Sequence, residues 1–275
     1  PLWPEVMGKV GYATAGTGKW HNGPAAYARA FRQGGPVFFG GMSDHTRMPV
    51  FDFDPTGQYP QQKQRIDTRF SSELFADAAV DFLRKHKGPQ PFFLYVAFTA
   101  PHDPRTPPGR YARMYDADKM PMPKNFLPKH PFDNGELKIR DEQLAPWPRT
   151  PDVIRRHLAD YYGMISHLDE QIGRILTALD ETGHAGDTLV IFASDNGLAI
   201  GSHGLMGKQN LYEHSQRVPL IVAGPGIARG ESRALVYLYD LFPTVCNLAG
   251  VTVPEGVEGK SLVPVLRGRQ DQVRD

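Results

Sequence analysis

Three short stretches carry the residues able to do chemistry, and each follows an apolar run. The first is Ser194-Asp195-Asn196-Gly197, directly after Thr188-Leu189-Val190-Ile191-Phe192-Ala193. A β-branched run of that length, closed by Asp-Asn-Gly, reads as a buried strand that delivers two oxygen ligands at its carboxyl end. Carboxylate and amide oxygens suit a hard cation such as Ca²⁺ or Mg²⁺; the same residues are also good turn chemistry. The second stretch, Gly11 to His21, sets Lys19 and His21 two residues apart after a glycine-rich turn. In extended backbone such residues point to one side, so an ammonium and an imidazole converge on whatever lies there. That pair suits an anionic group with charge building on its oxygens; the plainer alternative is a solvated lysine beside a histidine resting on Trp20. In the third, Phe92 to Phe98 runs into Ala100-Pro101-His102-Asp103-Pro104, a histidine at a strand end. A further lysine, Lys208, closes Gly201-Ser202-His203-Gly204-Leu205-Met206-Gly207-Lys208.

The order and wording of these motifs resemble one family, the sulfatases of the alkaline-phosphatase-like superfamily. Gly11-Tyr12-x-Thr14-x-x-x-Gly18-Lys19-Trp20-His21 is similar to a family signature. Ala100-Pro101-His102, Ser194-Asp195-Asn196-Gly197, Gly207-Lys208 and Arg217-Val218-Pro219-Leu220 follow in the family's sequence. The resemblance reaches to Gly256-Val257-Glu258-Gly259-Lys260-Ser261-Leu262. It implies hydrolysis of a sulfate ester, with Lys19 and Lys208 clamping sulfate oxygens. His102 hydrogen-bonds the sulfate or protonates the leaving oxygen, with Lys208 an equal candidate for that acid, and His21 orients the nucleophile. Asp195 and Asn196 hold Ca²⁺ (or Mg²⁺) together with two aspartates of an upstream strand. His45 and Arg47, in Asp44-His45-Thr46-Arg47, and His214 are the implied substrate readers. The six residues Lys19, His21, His102, Asp195, Asn196 and Lys208 are expected in one cavity at the carboxyl edge of the sheet.

The family's nucleophile is a formylglycine made from the Cys or Ser of a Cys/Ser-x-Pro-x-Arg motif, and this sequence holds no such motif. Its one cysteine, Cys246, lies at helical spacing beside Phe242 and Val245 and reads as a packed core thiol. The nucleophile segment is therefore expected upstream of Pro1, and a small C-terminal subdomain beyond the end. Two alternatives stand beside the sulfatase reading. One is hydrolysis of a phosphate or phosphonate monoester on the same fold; the other is a non-catalytic sulfatase-like protein that binds anions or glycans. The aromatic and proline-rich loops suit a sugar ring about as well as an aryl ring; a sulfated carbohydrate is the expected substrate, and the resemblance implies a periplasmic or extracellular setting.

Composition narrows the rest. With 31 basic against 30 acidic side chains in 275 residues, there is no basic field for nucleic acid and no polybasic membrane patch. No apolar stretch approaches the roughly 20 residues of a membrane span. One cysteine excludes internal disulfides.

The elements that must position the site alternate between helix and strand. Ser71 to His86 carries Leu74, Phe75, Ala78, Ala79, Phe82 and Leu83 on one stripe, with Ser71 or Ser72 as N-cap. Strands follow at 91–98, 187–193 and 218–223. Thr150 to Thr182 is the longest helical pattern, with Ile154, Leu158, Tyr161, Ile165, Leu168, Ile172, Ile175 and Leu179 on its apolar face. A short helix spans Asp240 to Ala249. This alternation predicts an α/β fold, a mainly parallel central sheet with helices on both faces, as a single domain over 1–275. Two irregular stretches, 34–64 and 104–151, are expected over the carboxyl edge. An absent upstream strand would expose an apolar sheet edge, and poor solubility, a dimer through that edge or marginal stability is expected.

Overall fold

A computed structural model describes residues 1–274. The chain groups into two compact units. The first comprises Pro1–Thr99, Gln171–Ile191 and the segment from Val222 onward; the second comprises Ala100–Glu170 and Phe192–Ile221.

In the first unit, helix α1 (Trp3–Lys9) leads into strand β1 (Ala13–Lys19). Helix α2 (Pro24–Ala30) follows, then β2 (Gln33–Phe38), the short strands β3 (Met48–Val50) and β4 (Arg65–Asp67), helix α3 (Ser71–Lys85) and β5 (Phe92–Ala97). The strands β2, β1 and β5 form a parallel sheet in that order, and β3 and β4 pair antiparallel. The α/β class and its parallel sheet are as expected. Trp20, Tyr27, Phe31, Val37, Phe51 and Tyr59 form one core cluster, and Phe38, Met48, Val50, Leu74 and Phe75 a second. Much of the 34–64 stretch is thus strand and core, not free loop. Its aromatics do not alternate cleanly, which hid β2 and β3 from a periodicity reading.

The helix start near residue 71 differs from expectation. Phe70 occupies the N-cap, with no side-chain capping bond. Ser71 and Ser72 are fully buried, and Ser71 Oγ is bonded instead to His45 Nδ1 at 2.7 Å. A tertiary partner has taken the hydroxyl that capping would have used.

The glycine-rich segment before Lys19 is also not a turn but the middle of β1. Close approach explains the glycines: a Cβ on Gly16 would stand 2.7 Å from the Phe31 ring, and one on Gly18 only 2.0 Å from the Ala97 carbonyl oxygen. Gly18 further has φ +96°. Gly18→Ala is expected to lower stability by about 3 kcal/mol, combining backbone strain with a clash against a neighbouring strand. Gly88→Ala, at φ +90° with nothing within 4 Å of a new Cβ, should cost about 1 kcal/mol. Denaturant midpoints for the two variants separate the clash from the strain; equal losses would refute the close-approach argument.

Helix α4 (Pro151–Glu181) is continuous, contributing residues 151–170 to the second unit and 171–181 to the first. Ile154 and Leu168 are buried as the pattern requires, but Ile165 is 40 % exposed. Next come β6 (Val190–Ala193), α5 (Glu213–Gln216) and β7 (Leu220–Ala223), with β6 and β7 paired. Helices α6 (Leu241–Leu248) and α7 (Val263–Leu266) close the first unit. In the second unit, the 104–151 stretch holds three 3₁₀ turns. It buries Asp141, Glu142 and Arg149, around a small core of Ala145, Ile154 and Met206. Among the described residues no helix is long and apolar enough to cross a membrane.

Candidate active site

The second unit brings His102 and Lys208 together. Lys208 Nζ lies 2.9 Å from His102 Nε2. An ammonium can only donate, so Nε2 is the acceptor and the imidazole carries its proton on Nδ1. That Nδ1–H donates to the Asp103 carbonyl oxygen at 3.0 Å, and Asp103 Oδ1 stands 3.3 Å away. On the other side, Asp141 Oδ2 lies 3.7 Å from Lys208 Nζ. Arg140 closes the circuit, its guanidinium bonded to both Asp103 and Asp141. The two carboxylates are 2 % and 4 % exposed. Two buried acids and two cations therefore surround a neutral imidazole. Burial alone would raise the Asp141 carboxyl, but the Gln209 hydrogen bond and the charges of Lys208 and Arg140 hold it below the ordinary carboxylate range.

Asp195 and Asn196 sit on the chain leaving β6. Asp195 is exposed, and its Oδ1 accepts the Asn196 N–H at 2.9 Å. Ser194 Oγ donates to the Asn196 carbonyl at 2.8 Å. Gly197 N donates to Ser215 O at 2.9 Å, and a Cβ there would fall 1.9 Å from the His214 carbonyl oxygen. The segment that touches Gly197 is the one that begins at Lys208. Asn210 N donates to Lys208 O at 2.8 Å, and Asn210 Oδ1 accepts from Tyr212 N and Ser215 Oγ at 3.1 and 3.0 Å. One self-tied loop thus links Lys208 to the Asp195-Asn196-Gly197 turn. The oxygens of Asp195 and Asn196 suit Ca²⁺ or Mg²⁺ in kind, but two residues fall short of the six to eight oxygens Ca²⁺ takes. Among the described residues no group of three His, Cys, Asp or Glu is arranged to hold an ion. These residues do not by themselves make a cation site.

Lys19 and His21 belong to the first unit. They reach neighbouring carbonyls of the loop after β2, Lys19 Nζ to Gly41 O at 2.9 Å and His21 Nε2 to Gly40 O at 2.8 Å. The two-residue spacing places them on one side, as extended backbone requires.

The implied substrate readers differ in their surroundings. His45 is 1 % exposed, bonded to Ser71 and stacked on Phe70 at 5.3 Å; it anchors α3 and is closed to a ligand. Arg47 is exposed, on a turn fixed by Asp44 Oδ1, which accepts from the Thr46 amide and hydroxyl. His214 is packed in an aromatic cluster, its ring 5.6 Å from that of Tyr212, which stacks on His203 at 3.9 Å. Its Nε2 is buried and makes no hydrogen bond. Burial first, and then the charge of His203, push His214 down to about 4. It is a neutral packing histidine rather than an open contact. Cys246 is fully buried on α6, and burial raises its thiol, which leaves it no nucleophilic role.

Asp103, Arg140, Asp141 and Glu142 were not anticipated. Asp103 follows His102 directly and was visible as a neighbour. The other three lie in a proline-rich stretch without periodicity, where nothing in the sequence marks them.

The parallel sheet with its helices is an α/β arrangement of the alkaline-phosphatase-like fold. A solved structure described as a complex with its substrate D-glucosamine-2-N,6-O-disulfate superposes with TM-score 0.80 at 23 % identity, covering 99 % of this chain and 65 % of that one. The sulfatase family model matches residues 2–251, and the chain belongs to the sulfatase family. It is 34 % identical to an arylsulfatase of Clostridium perfringens over 72 % of this chain and 42 % of the relative. To a choline-sulfatase of Rhizobium meliloti it is 30 % identical, over 98 % and 56 %. The chain thus spans about half the length of the curated relatives it matches.

Proposed function

We propose that this chain is the part of a sulfate-ester hydrolase that handles the sulfate oxygens and the leaving group. The observation that carries the reading is the Lys208–His102 pair, 2.9 Å apart and held between two buried carboxylates. A sulfate monoester needs positive charge around its oxygens and a proton for the bridging oxygen as the S–O bond breaks. In the tautomer that this contact requires, the transferable proton sits on the Lys208 ammonium, and the His102 Nε2 lone pair aims it. Lys208 is accordingly the proposed acid and His102 its aligning partner. Lys19 and His21 are assigned to the same chemistry through the family resemblance, Lys19 as a second sulfate cation.

The formylglycine nucleophile is an expectation of the family. The Ca²⁺ (or Mg²⁺) assignment rests on the oxygen chemistry of Asp195 and Asn196 and requires further ligands. A sulfated carbohydrate is the proposed substrate class, supported by the disulfated glucosamine that the superposed structure is described as binding. A periplasmic or extracellular setting follows the same resemblance. Strand β5 pairs with β1 alone in its sheet, and its apolar residues are half-exposed, with Tyr95 at 38 %. That edge supports the proposed dimer.

The test is turnover by the complete gene product, made together with a formylglycine-generating enzyme. Release of inorganic sulfate from glucosamine 6-sulfate or 4-nitrophenyl sulfate is expected. Sulfate binding without turnover would favour the anion-binding alternative, and preference for a phosphonate ester would move the chemistry to phosphorus.

A further inference from the structure

The 3₁₀ turn Arg140–Leu144 lies sixty-odd residues before Lys208 in sequence, yet it grips the backbone leading to it. The Glu142 carboxylate, 4 % exposed, accepts the Met206 N–H at 2.9 and 3.1 Å and the Gly207 N–H at 2.8 Å. Its remaining partner is Arg149 Nη2, at 2.7 Å. Arg149 has no exposed side-chain surface. It donates to the carbonyls of Glu142, Ala145 and Gly204 and lies 3.6 Å over the Trp147 ring. A buried ion pair of this kind is stable only when its other hydrogen-bonding capacity is met. Here it is met by the peptide that must be held. Gly207 fits because a Cβ would stand 2.8 Å from the Asp141 Cβ. Next along the turn, the Asp141 carboxylate accepts Gln209 Nε2 at 3.1 Å and faces the Lys208 ammonium.

We propose that Glu142 and Asp141 are the positioning residues of the Lys208–His102 pair. Glu142 clamps the Met206–Gly207 backbone, and Asp141 holds the ammonium against His102 Nε2. This rests on the reading of Lys208 and His102 as the proton-handling pair. The charged groups around that pair are Asp103, Arg140, Asp141 and the buried Arg105, which interacts electrostatically with both aspartates. Of these, Asp141 alone contacts both Arg140 and Lys208, so removing its charge unbalances the ring at the ammonium.

The experiment follows the His102 ring by NMR in the full chain carrying ¹³C-labelled histidine. Asp141→Asn keeps the shape and the acceptor for Gln209 but removes the charge. Its expected effect is a downward move of the His102 titration midpoint by roughly threefold in proton affinity, in a protein that is less stable but still folded at the measuring temperature. In Glu142→Gln, which retains a single oxygen, the Met206 and Gly207 amides should exchange with solvent at least about tenfold faster. A His102 midpoint in Asp141→Asn equal to wild type would overturn the role of Asp141. Unchanged amide protection in Glu142→Gln would overturn the clamp, and if that variant fails to fold, Asp141→Asn and the milder Glu142→Asp still decide. Neither readout needs turnover. The expected shifts in a protein that hydrolyses no sulfate ester would uphold the positioning network while refuting the hydrolase reading. In an active enzyme, Asp141→Asn should lower kcat about tenfold with KM within about twofold.

Discussion

Alanine at position 208 is expected to lower kcat/KM for sulfate-ester hydrolysis by at least about a thousandfold in the complete enzyme. Loss of a single preorganised donor to a developing charge costs about 10²–10³, and Lys208 supplies more than a donor. Its ammonium offsets Asp141 at 3.7 Å and engages His102 Nε2. Without it, the buried carboxylates of Asp103 and Asp141 are left with Arg140 and Arg105 as their cations. Ground-state binding should therefore weaken as well, raising KM while kcat falls. Lys208→Arg keeps the charge but not a compact proton donor, and should recover part of KM with little of kcat. Steady-state kinetics on 4-nitrophenyl sulfate, with thermal unfolding to establish that the variants are folded, make the comparison. A loss below about tenfold in Lys208→Ala would remove Lys208 from the chemistry.

Acidification from about pH 7 to about 5.5 is expected to lower the thermal midpoint through two buried histidines, above the range where ordinary carboxylates titrate. His157 is locked in its neutral form from both sides. Its Nδ1 accepts from Arg105 Nη1 at 3.1 Å, and its Nε2–H donates to the Leu144 carbonyl at 3.1 Å. Burial, and then the adjacent Arg105 charge, push it down to about 4; His214 is likewise pushed to about 4. Unfolded histidine titrates near 6.5. Between 6.5 and 4 the unfolded chain binds more protons than the folded one, so stability rises with pH across that interval. The contribution is fully present above about 6.5 and is lost as pH falls through 4. Asp141, held low, acts in a separate window below the ordinary carboxylate range. Melting curves at matched ionic strength should be flat from pH 8 to 7 and decline below 6.5. His157→Gln and His214→Gln should each shallow that decline. An unchanged slope in the double variant would trace acid sensitivity to other groups.

Much of the scaffold was legible because its signals are local. The apolar runs ending at Ala97, Ala193 and Ala223 are strands at nearly the expected limits, and the 31-residue helix α4 followed from its spacing and its first-turn proline. The motif residues His102 and Lys208 were visible as types, and the structure puts them in contact. What escaped depends on contacts remote in sequence. Glu142 meets Met206 across 64 positions, and no local pattern announces an acid whose partners are peptide N–H groups. His45 was misread for the converse reason. Between Asp44 and Arg47 it has the look of a polar loop, and only the placement of Ser71 and Phe70 buries it. The glycines of β1 looked like a turn because sequence does not show that the Phe31 ring and the Ala97 carbonyl press on them.

The burial of Cys246 has a use of its own. As the chain's one thiol, wholly enclosed on α6, it is a solitary clock for that helix. A thiol-specific reagent in native buffer reacts only with molecules in which α6 has opened, so the labelling rate, divided by the rate for an exposed thiol, gives the opening equilibrium directly. This chain thus reports the local breathing of α6 from a single atom, with no engineered probe.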